Sequence, residues 1–241
     1  MSDSTLRMAV LIDADNAQAI KIEAILQRVA TFGKANVRKA YGNWRKDELQ
    51  SWAKMLHEFA IAPVQQFDLT KGKNASDIAM AIDAMDLLHA GHVDGFAIVS
   101  SDADFTPLVM RLRQSGAEVI GFGQAKAPEP FRNACSRFFE VEALVDDSGT
   151  GGADDAQPKR RTGAQLKQNT KLINLMRSAI DEASDDDGWA HLSQVSNLIR
   201  NQSSFEPRNF GYVKFSDLVK AIDLFEVSTD NKRVRRIGRK T

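Results

Sequence analysis

Cysteine is nearly absent from this sequence of 241 residues, which holds only Cys135. One cysteine excludes an internal disulfide, and together with only four histidines it excludes a cysteine-rich structural zinc site. No apolar run approaches the ~18 residues that a membrane helix needs. The polar start of the chain leads directly into an apolar segment, which argues against a signal peptide. We therefore expect a cytoplasmic protein in a reducing compartment.

An excess of charge of one sign is also absent, because Lys and Arg number 32 and so do Asp and Glu. This balance excludes a histone-like polycation and an acidic disordered chain. The phosphate-binding pattern GxxxxGK[ST] does not occur, so we do not expect a P-loop nucleotide hydrolase. The charges are unevenly divided, however: residues 1–145 carry a net charge of −2 and residues 164–241 a net charge of +3.

The segment between these two parts, residues 146–163, reads DDSGTGGADDAQPKRRTG. It has no apolar periodicity and is rich in Gly and Asp, so it cannot bury enough surface to offset the entropy lost on ordering. We interpret it as a flexible linker. The sequence thus predicts two domains, residues 1–145 and residues 164–241.

The first domain alternates short apolar runs with amphipathic, helix-like segments. The helix-like segments lie near 16–31, 47–59, 76–90 and 105–115, and Ser76 is a plausible N-cap of the third. Strands that alternate with helices predict a parallel sheet covered on both faces. The predicted strands are MAVLID (8–13), VRKAYG (37–42), IAPVQQF (61–67), GFAIVSS (95–101) and AEVIGFG (117–123).

The second domain shows a different pattern. Helices are predicted at 172–180, 193–200 and 215–222, and Trp189 opens a short extended piece. The runs LFEV and RVRRI flank the turn sequence STDNK and predict a β-hairpin. Three helices and a hairpin predict a small winged helix-turn-helix domain.

Acidic residues follow the predicted strands of the first domain. Asp13 ends the first run, Asp102 and Asp104 follow the fourth, and Asp77 opens a helix. Because the carboxyl ends of parallel strands share one edge of a sheet, we expect these acids to meet there and to repel one another. A divalent cation, Mg²⁺ or Mn²⁺, would relieve that repulsion and could activate a water. Asn16 could orient a ligand without adding charge.

For two further acids, Asp15 and Asp83, a helix cap or a turn is the simpler interpretation. Asp13-x-Asp15 after a strand also fits a phosphatase of the haloacid dehalogenase type, which stays open as an alternative. That family usually has Thr or Val where this sequence has Ala17.

The segments LIDADN, ASDIAMAIDAM and VSSDADFTPLV, with YGNW between them, resemble the NYN domain, a PIN-like metal-dependent ribonuclease fold of the LabA-like branch. The likeness extends over about residues 8–145. It implies that Asp13, Asp77, Asp102 and Asp104 hold Mg²⁺ or Mn²⁺, that Asn16 supports the site, and that metal-activated water cleaves RNA. Some PIN-like domains keep these acids and show little activity, so a domain that binds RNA or a partner without cleaving it stays an alternative.

The C-terminal part is similar to the LOTUS domain, also called OST-HTH, over about residues 165–238. The likeness is carried by Trp189, PRNFGY (207–212) and VRRI (234–237). It implies RNA binding and leaves open a protein partner for this domain. Nothing in the sequence decides whether the chain forms a homo-oligomer.

Basic and aromatic residues suggest where RNA would bind, since unpaired bases stack on aromatic rings and phosphates attract Lys and Arg. The alternatives are that Tyr41 and Trp44 are packing residues, that the basic C-terminus is a solvated tail, and that the lysines before Asp77 belong to an ordinary polar loop. The candidate RNA-binding residues are Arg38, Tyr41, Trp44, Arg45, Lys46, Lys71, Lys73, Arg233, Arg235 and Arg236.

Overall fold

A computed structural model of the protein describes residues 5–67, 74–144, 160–230 and 232–237. The chain divides into two compact units, Met1–Gly152 and Ala153–Thr241. Each unit has its own hydrophobic core. Most of the predicted linker, up to residue 159, lies outside the described residues.

The first unit is built on a parallel sheet of six strands in the order β3-β2-β1-β4-β5-β6. This confirms the predicted α/β fold, a parallel sheet flanked by helices. The strands are β1 (Leu6–Asp13), β2 (Gly33–Gly42), β3 (Ala62–Gln65), β4 (Gly95–Val99), β5 (Glu118–Gly123) and β6 (Arg137–Glu140). The helices are α1 (Ile22–Ala30), α2 (Trp52–Glu58), α3 (Ala75–His89), α4 (Thr106–Gln114) and α5 (Glu129–Ala134).

The central strand β1 is buried on both faces, as its nearly unbroken apolar sequence requires. Its side chains alternate between two cores. Met8, Val10 and Ile12 pack in the core that contains residues of α1 and α2. Ala9 and Leu11 pack in the core that contains residues of α3, α4 and α5. Strand alternation therefore turns Asp13, the last residue of β1, to the face covered by α3.

The chain order places a topological switch point between β1 and β4. The chain moves outward from β1 to β2 and β3, then crosses back so that β4 pairs with the other side of β1. Doubly wound sheets bind ligands beyond the carboxyl ends of the two strands at such a point. Asp13 ends one of these strands, and Ser100 follows the other directly.

Three features of the first unit differ from the prediction. Strand β6 and helix α5 were not predicted, because RFFE and EPFRNA are too short to show a periodicity. Ser76 is not the N-cap of α3. The N-cap position is Asn74, and Ser76 lies inside the first turn, where its hydroxyl donates to Asp15 Oδ2 at 3.3 Å.

The second unit contains the three predicted helices and the predicted hairpin. They are α7 (Thr170–Ala183), α8 (Leu192–Gln202), α9 (Phe215–Ile222), and the antiparallel strands β8 (Phe225–Val227) and β9 (Arg233–Arg236). The extended piece after Trp189 is β7 (Ala190–His191), which pairs with β9. These elements form the winged arrangement of three helices beside a small sheet.

An additional short helix, α6 (Gly163–Gln168), begins where the linker was predicted to end. Thr162 caps this helix, and its hydroxyl accepts a hydrogen bond from the backbone N–H of Gln165. The Arg161 carbonyl accepts a hydrogen bond from the Tyr212 hydroxyl at 2.8 Å. The last residues of the predicted linker are therefore part of the second unit.

Among the described residues, none of the helices combines the length and the apolar character needed to cross a bilayer.

Candidate active site

Asp13, Asp77, Asp102 and Asp104 form an acidic cluster at the switch point of the sheet. Asp13 is its buried centre, with only 1% of its surface exposed. Its Oδ2 accepts hydrogen bonds from the Ser100 hydroxyl at 2.7 Å and from the Asn16 amide at 2.9 Å. Burial raises the pKa of the Asp13 carboxyl, and the two donors oppose that rise by favouring the charged form. The other oxygen, Oδ1, is buried and has no hydrogen-bond partner among the described residues.

Ser100 joins the ends of the two central strands. Its hydroxyl donates to Asp13 and accepts a hydrogen bond from the backbone N–H of Asp102 at 3.1 Å. The Asp102 carboxylate in turn accepts from the backbone N–H of Asp104 at 2.8 Å, which caps the turn before α4. One buried hydroxyl thus fixes Asp13 relative to the loop that carries the next two acids.

Asp77 and Asp104 complete the cluster from the α3 and α4 sides. The Asn74 amide donates to Asp104 Oδ2 at 2.9 Å and ties the start of α3 to that loop. The pKa of Asp77 is raised to about 6, first by burial and then by the negative charges of Asp13, Asp102, Asp104 and Asp15. The structure therefore places all four acids that the sequence singled out near one another, close enough for the charges of the other three to act on Asp77.

Asp15 occupies the turn after β1, as expected, but its charge also belongs to the cluster because it acts on both Asp13 and Asp77. Its carboxylate pairs with Lys46 Nζ at 3.0 Å. Asp83 is not part of the cluster. It accepts hydrogen bonds from Lys39 Nζ and from the Tyr41 hydroxyl, both at 2.8 Å, so its interactions hold α3 against β2.

The residues of the cluster fit a hard divalent cation. They offer only carboxylate oxygens, the ligands that Mg²⁺ and Mn²⁺ prefer, and Asp13 Oδ1 is a buried acceptor without a donor. As the side chains stand, the described parts of the chain contain no group of three His, Cys, Asp or Glu close enough to hold an ion. Binding a cation would therefore require some of these carboxylates to rotate from the positions they occupy here.

Of the predicted RNA-binding residues, Tyr41 is misassigned. Its side chain is fully buried, and its hydroxyl donates to Asp83. Trp44 is half-buried against the core, and its indole N–H donates to the Val64 carbonyl at 3.1 Å. Both observations favour the packing interpretation. Arg38 donates to the Phe59 carbonyl at 2.8 Å, so it too holds the fold together.

Lys46 lies near the acids, and Arg45, its neighbour in the sequence, contacts an aromatic ring. The Arg45 guanidinium lies 5.6 Å from the centre of the Phe67 ring, which is 52% exposed. Lys46 pairs with Asp15 at the edge of the cluster. Lys71 and Lys73 lie outside the described residues.

The three arginines of β9 in the second unit are all engaged with acids. Arg233 pairs with Asp185 and Asp187, Arg236 with Asp181, and Arg235 with Glu226. Arg235 also lies 4.6 Å from the Trp189 ring centre. These arginines are therefore not a solvated tail: they lie on the central strand of the small sheet, and each is paired with an acid.

Two positioning residues were missed in the sequence, although both lie beside the motifs. Ser100 is half of the serine pair before Asp102, and Asn74 precedes Asp77 by three positions. The short side chains in VSSDAD and NASD were the available signal. A cleft of about 470 Å³ that leads away from Asp77 and Asp104 between α3 and α4 has no comparable sequence motif.

Comparison with known proteins agrees with this architecture. The family profile of the NYN domain matches residues 7–142, and that of the OST-HTH/LOTUS domain matches residues 166–237. An uncharacterized protein of Methanocaldococcus jannaschii is 30% identical over 121 residues, which are 48% of this chain and 47% of that protein. The chain thus spans about half the length of this curated relative.

Two solved structures are also similar. The crystal structure of a Vibrio parahaemolyticus protein of unknown function has a TM-score of 0.50 at 18% identity, covering 61% of this chain and 97% of that one. This likeness concerns the fold alone. The solution structure of an uncharacterized Nitrosomonas europaea protein is 27% identical, covers 40% of this chain and 96% of that one, and has a TM-score of 0.27.

Proposed function

This chain belongs to the NYN domain family and also carries an OST-HTH/LOTUS domain, and from that premise we propose that it is a metal-dependent ribonuclease. The observation that carries the proposal is the convergence of Asp13, Asp77, Asp102 and Asp104 at the switch point of the sheet. Structural ion pairs would explain these acids only if cations lay among them. The ion pair between Lys46 and Asp15 lies at the edge of the cluster.

In this proposal the four aspartates hold Mg²⁺ or Mn²⁺. Such an ion, when bound, lowers the pKa of a water and stabilises the charge that develops on the attacked phosphate. Ser100 and Asn16 orient Asp13 by donating to its Oδ2, which leaves Oδ1 available as a ligand. The Asn74 hydrogen bond positions Asp104. The substrate phosphodiester would lie at the open side, where the more exposed acids stand.

The second unit would hold the RNA. OST-HTH/LOTUS domains suggest RNA binding, and this part of the sequence carries a net charge of +3, whereas the first part carries −2. A positive domain would raise the local concentration of a polyanion near an acidic cleavage site that by itself repels it. We assign Arg45 in the first unit the same supporting role, because its guanidinium stacks near the exposed Phe67.

The test is a gel assay of end-labelled RNA in Mn²⁺, in Mg²⁺ and in EDTA. We expect cleavage that requires the metal and falls at least a hundredfold in Asp13→Asn. Asp86→Asn is the matched control, because Asp86 is an exposed aspartate on α3 and is absent from the groups that act on Asp77. Cleavage that persists in Asp13→Asn would refute the assignment of the site.

A second candidate is an RNA-binding protein that does not cleave. It is favoured by one observation: among the described residues, no three of the neighbouring carboxylates stand close enough together to hold an ion. A shifted RNA band with no metal-dependent cleavage at high protein concentration would support it. The haloacid dehalogenase alternative loses its support, because the chain belongs to a different family and Asp15 is paired with Lys46.

A further inference from the structure

An apolar cleft opens directly from the acidic cluster. Asn74, Asp77 and Asp104 form its polar end, and its volume is about 470 Å³. Beyond them the walls are hydrophobic and come from two helices, Ile78, Ala81 and Met85 from α3 and Pro107 and Leu108 from α4. The cleft thus begins at two of the acids that would hold the metal.

The cleft exposes a large aliphatic side chain. This side chain is Ile78, which follows Asp77 in the first turn of α3 and is 61% exposed. Arg111 of α4 also lines the cleft, and its guanidinium donates to the Ser115 hydroxyl at 2.5 Å. The lining thus combines carboxylates, an apolar wall and a cation.

We propose that this cleft is a subsite for one unstacked nucleobase of the RNA substrate, adjacent to the phosphate at the acidic cluster. The inference rests on the proposed function and adds where the substrate lies. An RNA strand whose phosphate is at Asp77 and Asp104 would continue into space beside them, and among the described residues this cleft adjoins both acids. Bases taken out of a stack are held between apolar side chains, and pockets for small ligands have volumes of ~300–1,000 Å³.

The lining also defines what the subsite selects. The Asn74 amide is already bonded to Asp104, and Arg111 is bonded to Ser115, so few fixed groups remain to read the edge of a base. An apolar wall accepts any base with a free face but excludes a base that is paired and stacked in a duplex. The enzyme should therefore prefer single-stranded RNA, with little discrimination among the four bases at this position.

An apolar peptide from a protein partner would also fit such a wall, but the cleft favours RNA. An apolar peptide would have no group to interact with Asp77 and Asp104. An RNA chain would interact with these carboxylates through a cation bound to its phosphate, and with the apolar wall through a base. Arg111 in the lining would attract a phosphate of the strand, whereas it has no role toward an apolar peptide.

The test compares two isoleucines on one helix. Ile78 lines the cleft, while Ile82, one turn further along α3 and 58% exposed, does not. Because both side chains are exposed, replacing either with Ser should leave the fold intact. Ile78→Leu is a conservative variant that keeps the apolar wall.

The substrates are a short single-stranded RNA, whose cleaved phosphate is mapped first, and the same RNA with an abasic residue beside that phosphate. We expect the wild type, Ile82→Ser and Ile78→Leu to cleave the abasic RNA about tenfold more slowly, in line with the value of one stacked base. Ile78→Ser should cleave both RNAs at nearly the same reduced rate. Equal discrimination in all four proteins would overturn the subsite while leaving the nuclease assignment intact.

A second readout does not depend on turnover. An RNA with 2-aminopurine at the same position is titrated with the full chain in Ca²⁺, and its fluorescence reports the stacking of that base. We expect a change with the wild type and with Ile82→Ser that is lost with Ile78→Ser. If no protein cleaves RNA but this pattern appears, the cleft assignment stands and the nuclease proposal fails. A fluorescence change that does not depend on Ile78 would overturn the cleft assignment.

Discussion

Replacing Asp77 by Asn should make the metal-free protein more stable, although it should impair the proposed function. In the folded state the pKa of Asp77 is raised to about 6 from the ordinary 3.8, by burial and by four neighbouring acids. A difference of this size corresponds to about 3 kcal/mol at most. Solvent screening of a half-buried group reduces it to about 1–2 kcal/mol. A negative charge in the first turn of α3 interacts favourably with the helix dipole, so its loss reduces the gain in stability by a further ~0.5 kcal/mol.

The net gain for Asp77→Asn is therefore about 1 kcal/mol, or a few degrees in the melting temperature of the first unit. The sign depends on pH. Below pH 3.8 the raised pKa does not lower the stability, because the carboxyl is protonated in both the folded and the unfolded state. The destabilisation grows as the pH rises and reaches its full size above pH ~6. The gain should be present at pH 7.5 and should vanish near pH 4.

Thermal melts in EDTA at these two pH values measure the effect. Trp44 and Trp52 report on the first unit, while Trp189 reports on the second, so the two transitions must be separated before they are compared. Asp86→Asn is the control and should show no gain. A lower melting temperature for Asp77→Asn at pH 7.5 would refute the conclusion that its carboxylate is repelled by its neighbours.

Three other predictions follow from the same contacts. Ser100→Ala should destabilise the protein by ~1–3 kcal/mol in chemical denaturation, because a buried Asp13 oxygen loses its closest donor. It should also slow RNA cleavage at saturating metal. Tyr41→Phe should cost about 1 kcal/mol by losing the bond to Asp83, with RNA affinity in gel shifts unchanged. Calorimetric Mn²⁺ affinity should fall as pH drops through about 6, where Asp77 gains a proton, and less steeply in Asp77→Asn.

The main lines of the fold could be predicted because they follow from local patterns. Nearly pure apolar strands that alternate with amphipathic helices require a parallel sheet, and a parallel sheet brings the residues after its strands to one edge. That rule alone placed Asp13 near Asp102 although 89 positions separate them in the sequence. The short elements β6 and α5 could not be predicted, because RFFE has only two apolar residues and EPFRNA shows no helical spacing of apolar residues.

The misassignment of Tyr41 shows what a sequence pattern cannot distinguish. An aromatic residue among basic residues looks the same in the sequence whether it faces RNA or the core. Its role is set by Asp83, which lies 42 positions away and reaches the Tyr41 hydroxyl only because α3 packs on β2. The arginines of β9 illustrate the same point, because their acidic partners Asp181, Asp185 and Asp187 come from the α7 end and the loop after it.

The central claim is that the cation bound by this acidic cluster is the one that cleaves RNA. The most direct measurement titrates Mn²⁺ into the full chain by calorimetry and measures single-turnover cleavage of RNA over the same Mn²⁺ concentrations. We expect the two midpoints to coincide in the wild type and in Asp86→Asn, and binding and cleavage to be lost together in Asp13→Asn. Mn²⁺ binding that survives Asp13→Asn unchanged, or cleavage that does not follow the occupancy of the site, would contradict the claim.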